Sequence, residues 1–194
     1  PETVLGVLMP CHSSLEDEEH ARLVAGKFSI PTRTVVLDGV FDRLLKLMPA
    51  TTDPAASRLA EANLKPRLRM LALYYLANQL KYMVVGSSNR SELAVGYFTK
   101  HGDGGVDIMP LANLVKKEVM ALARYLGVPP VIIDKPPSAG LWPGQTDEGD
   151  LGFSYDELDR YLLTGRASES VREKIERMRV ASEHKRRLPD VPPF

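Results

Sequence analysis

Val84–Asp107, VVGSSNRSELAVGYFTKHGDGGVD, is the stretch that decides how the rest of the chain is read. A short apolar run, Tyr82–Val85, stops at Gly86, and two small hydroxyls, Ser87 and Ser88, follow. Glu92 lies in a candidate helical turn, and a glycine-rich acidic loop then carries Lys100, Asp103 and Asp107. A strand that ends in a Gly-Ser turn and enters a helix is where α/β proteins place ligands, because free backbone N–H groups there attract anions. The plainer reading of the same residues is a strand, a cap and a solvated loop, since short motifs are weak evidence on their own.

Working outward towards the N-terminus, Thr3–Met9 is a continuous apolar run, the pattern of a strand covered on both faces. Thr32–Leu37 is rich in β-branched residues and predicts a second strand. Between them a helix runs from about Leu15, capped by Ser13 or Ser14, to a C-cap at Gly26. Asp38 caps a further helix from about Val40 to Met48, which Pro49 stops. Alternating strands and helices predict an α/β fold, a Rossmann-like parallel sheet flanked by helices, in one domain over residues 1–194. Thr51–Ala56 is a linker whose Asp-Pro pair signals helix entry. The region Leu59–Leu80 is helical, but Pro66 predicts a break, with a second piece capped by Asn63. That second piece is apolar on more than one face, which suits either a central core helix or a subunit interface.

On the other side, Ile108–Leu111 is a short extended link and Asn113 is placed to cap a helix ending at Gly127. Lys116 and Lys117 fall in its first turn, where cations oppose the helix dipole, so a ligand role for one of them is worth testing. Asp134–Gly149 lacks helix or strand periodicity and holds the single tryptophan, Trp142; so long an irregular loop is commonly functional. Ser154-Tyr-Asp-Glu157 is a capping box opening a helix to about Leu163. A charged helix over Ser168–Ser182 and a basic tail, Glu183–Arg187, complete the chain.

Composition narrows the partners. Lysine plus arginine and aspartate plus glutamate number 25 each, which gives no electrostatic reason to expect nucleic acid or an anionic membrane. One cysteine, Cys11, excludes an intrachain disulfide and suits a reducing, cytoplasmic setting. No apolar run approaches the roughly 20 residues of a membrane span. The carboxylates Glu92 and Asp103 or Asp107 suit Mg²⁺ held together with phosphate oxygens. Lys100, Lys116, Arg67 and Lys185 suit the phosphates themselves, while Ser87 and Ser138 are hydroxyls beside glycine or proline. There is no G-x-G-x-x-G or G-x-S-x-G sequence, so pattern alone points to a phosphate-rich ligand with Mg²⁺.

The segments NLKPRLRM, GSSNRSELAVGYFTKHGDGGVDIMPLANLVKKEV, KPPSAGLWPGQTDEGDLGFSYDELDRYL and SEHKRR resemble, in that order, blocks of the ammonia-dependent NAD synthetases, within the adenine-nucleotide α-hydrolase group of ATP pyrophosphatases. The resemblance implies ATP-dependent adenylation of the nicotinate carboxylate of deamido-NAD, release of pyrophosphate, and attack by ammonia to give NAD and AMP. It implies Glu92 as a Mg²⁺ ligand and Ser87, Lys116 and Ser138 as ATP contacts, with Ser138 standing where many members have threonine. It implies Arg67, Lys100, Asp107, His184 and Lys185 as the deamido-NAD site, Arg69 competing with Arg67, and a homodimer with that site at the interface. No residue is assigned to bond making itself. The pattern departs in one respect: the strand and S-G-G-x-D-S phosphate loop that open the family are missing ahead of Thr3. Two alternatives stay open, another ATP pyrophosphatase with a different substrate and a truncated, non-catalytic dinucleotide-binding dimer.

Overall fold

The apolar and β-branched runs near the N-terminus pair in parallel. In the computed structural model, which describes residues 3–49, 52–142 and 144–193, β1 (Gly6–Leu8) lies beside β2 (Thr32–Thr34) with Gly6 opposite Thr32 and Leu8 opposite Thr34. Extended backbone continues past β2, because the Val35 and Leu37 N–H groups donate to the Leu8 and Pro10 carbonyls at 2.8 Å each. The crossover is α1 (Leu15–Lys27), capped by Ser14, whose hydroxyl accepts from the Asp17 N–H at 3.1 Å. Gly26 is not its C-cap: the helix runs on to Phe28, whose N–H is taken by the Val24 carbonyl, so no left-handed glycine is required.

Asp38 does not cap the next helix, α2 (Asp38–Leu45), either; its carboxylate accepts instead from the His12 N–H at 2.7 Å. The helix ends at Leu45 with Lys46 as its C-cap, short of the expected Met48, so Pro49 is not what stops it; Thr51 of the linker lies outside the described residues. The break expected at Pro66 does not occur. Helix α3 (Pro54–Leu80) is continuous for 27 residues, with Asp53 accepting from the Ala55 and Ala56 N–H groups at its start. An interior proline costs about 3 kcal/mol of helix propensity, and here tertiary packing outweighs it. Pro66 is buried against Gly102, where an added Cβ would stand 3.0 Å from the proline ring. Asn63, the expected cap, accepts from the Thr99 hydroxyl at 2.7 Å. Leu59, Leu71 and Tyr75 are 60%, 60% and 65% exposed, so α3 is not enclosed on all sides by its own chain.

Lys81, in the left-handed region at φ 56°, closes α3, and the Tyr82 N–H returns to the Ala77 carbonyl. That spends the first residues of the strand expected from Tyr82, and a single parallel bridge, Val85 to Ile108, remains. After it come α4 (Arg90–Val95), α5 (Lys116–Leu126), α6 (Pro130–Ile133), α7 (Asp147–Leu151), α8 (Tyr155–Thr164), α9 (Glu169–Ala181) and a 3₁₀ turn over Glu183–Lys185. The capping box at Ser154 forms as read. Helix α7 occupies the end of the segment expected to be irregular, because Thr146 caps it.

Two apolar clusters bracket the site. One joins Cys11, Leu37, Phe41 and Leu68, tying the end of β1 to α2 and α3. The other joins Val95, Leu151, Phe153, Tyr155, Leu158 and Ile175, tying α4 to α7, α8 and α9. Among the described residues no helix is long and apolar enough to cross a membrane.

Candidate active site

Between these clusters lies a cavity of about 890 Å³, lined by Ser13 and Asp17 beyond β1, Lys65 of α3, Ser87, Glu92, Lys116, the loop through Ser138 and Trp142, and Asp147. A second hollow of about 580 Å³ shares Ser87, Tyr97, Asp103, Trp142 and Gln145 with it and continues to Arg69, Gly102 and Lys185.

The best-defined wall is α4. Asn89 and Glu92 form a reciprocal box: the Asn89 side chain accepts from the Glu92 N–H at 3.0 Å, and Glu92 Oε2 accepts from the Asn89 N–H at 3.1 Å. The other oxygen, Oε1, receives the Lys116 ammonium at 3.1 Å. Lys116 therefore sits in the first turn of α5 against the dipole, yet is held by a carboxylate and by the face of Tyr155, 4.7 Å away. The Tyr155 hydroxyl donates to Asp147 Oδ2 at 2.9 Å and stands 3.5 Å from Glu92 Oε1. Burial foremost, then the charges of Glu92 and Asp147, push the Tyr155 phenol far above its ordinary range, so it stays a donor. Tyr97 is pushed up in the same way, by burial and by its bond to Asp150. Asp147 is 5% exposed, and its Oδ1 has no hydrogen-bond partner among the described residues.

Asn113, expected to cap α5, is not the cap; Val115 holds that position. The first N–H groups of the helix are met from a distance: Lys116 N–H by Ser91 and Lys117 N–H by Asp159. On the opposite wall, Ser138 lines the cavity and accepts from the Gly140 N–H. Pro143 of that loop lies outside the described residues.

Of the remaining predicted residues, Arg67, Lys100 and His184 are linked to one another, whereas Asp107 is held elsewhere, on Tyr74 and Val84. Arg67 points outward and donates to the Lys100 carbonyl at 3.3 Å, while Lys100 reaches the His184 carbonyl at 2.6 Å. Arg69 turns inward to the Met9 carbonyl and the Ser13 hydroxyl, and burial lowers its pKa. Asp107 is engaged on both oxygens, by the Tyr74 hydroxyl at 2.9 Å and the Val84 N–H at 2.7 Å. Lys185 donates to the Gly96 and Phe98 carbonyls at 2.8 Å each, and burial pulls its pKa down. Of this group Arg69 and Lys185 line the second hollow, and Arg67, Lys100, Asp107 and His184 line neither. Sequence reasoning thus joined Glu92, Lys116, Ser87 and Ser138 around one space. It missed Asp147, Tyr155, Lys65 and the Asp17–Lys135 pair, none of which carries a local motif beyond a helix cap.

Glu92 and Asp147 offer hard carboxylate oxygens, one of them unpartnered and buried. Among the described residues no cluster of three or more His, Cys, Asp or Glu side chains could hold a metal alone. The unpartnered, buried Asp147 Oδ1 beside Glu92 is the kind of hard oxygen that Mg²⁺ takes together with phosphates and water.

Comparison with known proteins identifies the family. The family model described as NAD synthase matches residues 1–189. The chain belongs to the NAD synthase family. Its NH(3)-dependent NAD(+) synthetase relatives include that of Carboxydothermus hydrogenoformans, 52% identical over 99% of this chain and 79% of that protein. The synthetase of Syntrophomonas wolfei is 47% identical over 98% of this chain and 78% of that one. Among solved structures, NMN synthetase from Francisella tularensis superposes with a TM-score of 0.92 at 37% identity, over 98% of this chain and 79% of that chain. NAD+ synthetase from Burkholderia pseudomallei does so with a TM-score of 0.73 at 31% identity, over 95% and 70%. The helix-flanked parallel sheet of this NAD synthase family member is therefore the fold its neighbours share.

Proposed function

We propose that this protein, as one domain, amidates deamido-NAD with ammonia at the expense of ATP, giving NAD, AMP and pyrophosphate through an adenylated carboxylate. The observation that carries this reading is the Glu92–Lys116 pair, 3.1 Å apart and facing the cavity, in a chain of the NAD synthase family. A carboxylate is a poor acyl donor to ammonia until it bears a leaving group, and AMP is that group. The Lys116 ammonium is placed to neutralise charge on ATP phosphates, with Ser87 and Ser138 as hydroxyl donors on either side. Glu92 and Asp147 would hold Mg²⁺, which when bound offsets the charge of departing pyrophosphate. Tyr155 keeps the two carboxylates apart and oriented.

Arg67, Lys100, Asp107, His184 and Lys185 form the deamido-NAD side. Arg67 and Lys100 supply cations for its phosphates, and Asp107 and Lys185 fix the turns that present them. The exposed apolar residues Leu71 and Tyr75 of α3 suit a homodimer face next to Arg67. The setting is cytoplasmic, where the substrates and a reduced Cys11 coexist.

One observation favours a second reading. The neighbour with the TM-score of 0.92 is an NMN synthetase, so nicotinate mononucleotide is the competing acceptor substrate. The deciding experiment supplies the full-length protein with ATP, Mg²⁺ and ammonium, and either deamido-NAD or nicotinate mononucleotide. NAD formed with the higher kcat/KM supports the proposal, and NMN formed with the higher value replaces it. Glutamine in place of ammonium should give no product; turnover with glutamine would overturn the ammonia assignment.

A further inference from the structure

We infer that Asp159, a buried carboxylate on α8 outside the cavity, is the positioning residue that sets the Glu92–Lys116 pair in register. This rests on the reading of that pair given above. Asp159 is 3% exposed and spans two other helices. Its Oδ1 accepts from the Ser91 hydroxyl at 2.5 Å, and its Oδ2 accepts from the Lys117 N–H at 2.8 Å. Ser91, itself fully buried, in turn accepts from the Lys116 N–H at 3.0 Å. One carboxylate thus grips the residue before Glu92 on α4 and the residue after Lys116 on α5.

A cap alone would need less. The N-terminal N–H groups of α5 could be met by a serine or aspartate in the preceding turn, as they are at α1, α8 and α9. Here the cap comes from 42 residues away, and the intervening hydroxyl comes from the helix that bears Glu92. A rigid hydrogen-bonded junction between α4, α5 and α8 therefore replaces a local cap. The negative charge lies at the positive end of α5, where it is stabilised. It also offsets the cost of holding Lys116 in that first turn. Without it, α4 and α5 can shift independently, and displacements near 1 Å cost up to about 100-fold in rate.

The test is Asp159→Asn, whose amide cannot serve both donors, beside Ser91→Ala, which removes only the hydroxyl. ATP binding is followed by calorimetry, NAD formation by steady-state kinetics, and the fold by thermal melting. ATP affinity and kcat/KM for ATP should each fall about tenfold or more in both variants, as for groups that support a site from behind. KM for deamido-NAD should stay within about twofold. The double variant should be no worse than Asp159→Asn alone, because the two act as one unit. A lower melting temperature with unchanged ATP affinity and kcat/KM would overturn the inference, leaving only a structural cap. If Asp159→Asn does not fold, Ser91→Ala decides by the same readings. If the wild-type protein binds ATP but makes no NAD, the proposed reaction is wrong, and the calorimetric comparison alone supports or overturns the positioning role.

Discussion

On one wall of the cavity, Glu92 and Lys116 stand on helices joined by buried hydrogen bonds, with Ser91, Asp159 and Tyr155 all under a tenth exposed. On the other, Ser138 and Trp142 ride a loop held partly by buried bonds, the Leu141 N–H to Gln145 and the Asp147 N–H to the Pro137 carbonyl, and partly by groups that water reaches: the Lys135–Asp17 ion pair, Arg58 over the Trp142 ring at 4.5 Å, and Lys65 on the Leu141 carbonyl. A buried network loses much when one member is removed, because the partner is left unsatisfied in a low dielectric. Exposed ties are each worth a fraction of a kcal/mol to about 1 kcal/mol and can be exchanged for water. On the proposed reading the first wall is the preorganised one for phosphate charge, and the second, with more exposed ties, is the more readily displaced.

The largest effect should come from Glu92→Gln. The side chain keeps its shape and can still accept from Asn89, but it turns an amide N–H₂ towards the Lys116 ammonium and loses its charge. NAD formation should fall on the order of 100-fold or more, with circular dichroism and melting little changed. A drop no larger than that from a loop substitution would break the contrast between the walls.

The rigidity of that wall can be probed through Gly96, which ends α4 at φ 68°. A Cβ there would stand 2.1 Å from Ser182 Cβ, so Gly96→Ala strains the backbone and drives α4 off the C-terminal turn. Gly165 ends α8 at φ 71° with nothing within 4 Å. Urea denaturation should show Gly165→Ala losing about 1 kcal/mol from the left-handed backbone alone. Gly96→Ala should lose roughly 2–4 kcal/mol, the excess being the overpacking penalty. Equal losses would mean that the seat of Glu183–Arg187 against α4 is loose.

Arg67→Ala separates the two substrates. Its outward guanidinium lies with Lys100 and His184 and away from the cavity. KM for deamido-NAD should rise about tenfold, the worth of one charge-assisted contact, with KM for ATP unchanged. Equal rises would return the role to the inward-facing Arg69.

What could be read from the chain divides along the same line. Ser14, Asp53-Pro54, Ser154 and Ser168 announce helix starts because each cap bonds within three residues. Asn113 and Pro66 mislead because distant groups decide there: Ser91 and Asp159 satisfy α5, and Gly102 packs on the proline. The candidate site follows suit. Glu92, Lys116, Ser138, Asp147 and Tyr155 all lie in family-like blocks, but the approach of Asp147 and Tyr155 to Glu92 is made only by folding, and nothing in their local spacing marks it.

Arg58→Ala loosens the other wall. An exposed cation–π contact is worth about 0.5–1 kcal/mol, so KM for ATP should rise about two- to fivefold with kcat unchanged. A fall in kcat as large as that of Glu92→Gln would show that the loop is part of the rigid site.

The smallest effect should appear at the Lys135–Asp17 pair and carries a definite sign. The hydrogen bond from Lys135, foremost, holds the Asp17 carboxyl below its ordinary value of 3.8. A depressed folded-state pKa adds stability that is complete above the unfolded value and is lost as pH falls through the folded one. Lys135→Met should therefore differ from the parent by less than about 1 kcal/mol at pH 7, since both side chains are partly exposed. The difference should hold from pH 7 down to pH 5 and close below 3.8, and high salt at pH 7 should shrink it as well. Urea titrations across that range measure it. A difference that grows on acidification would mean that Asp17 answers to some other group and that the loop is not anchored by this pair.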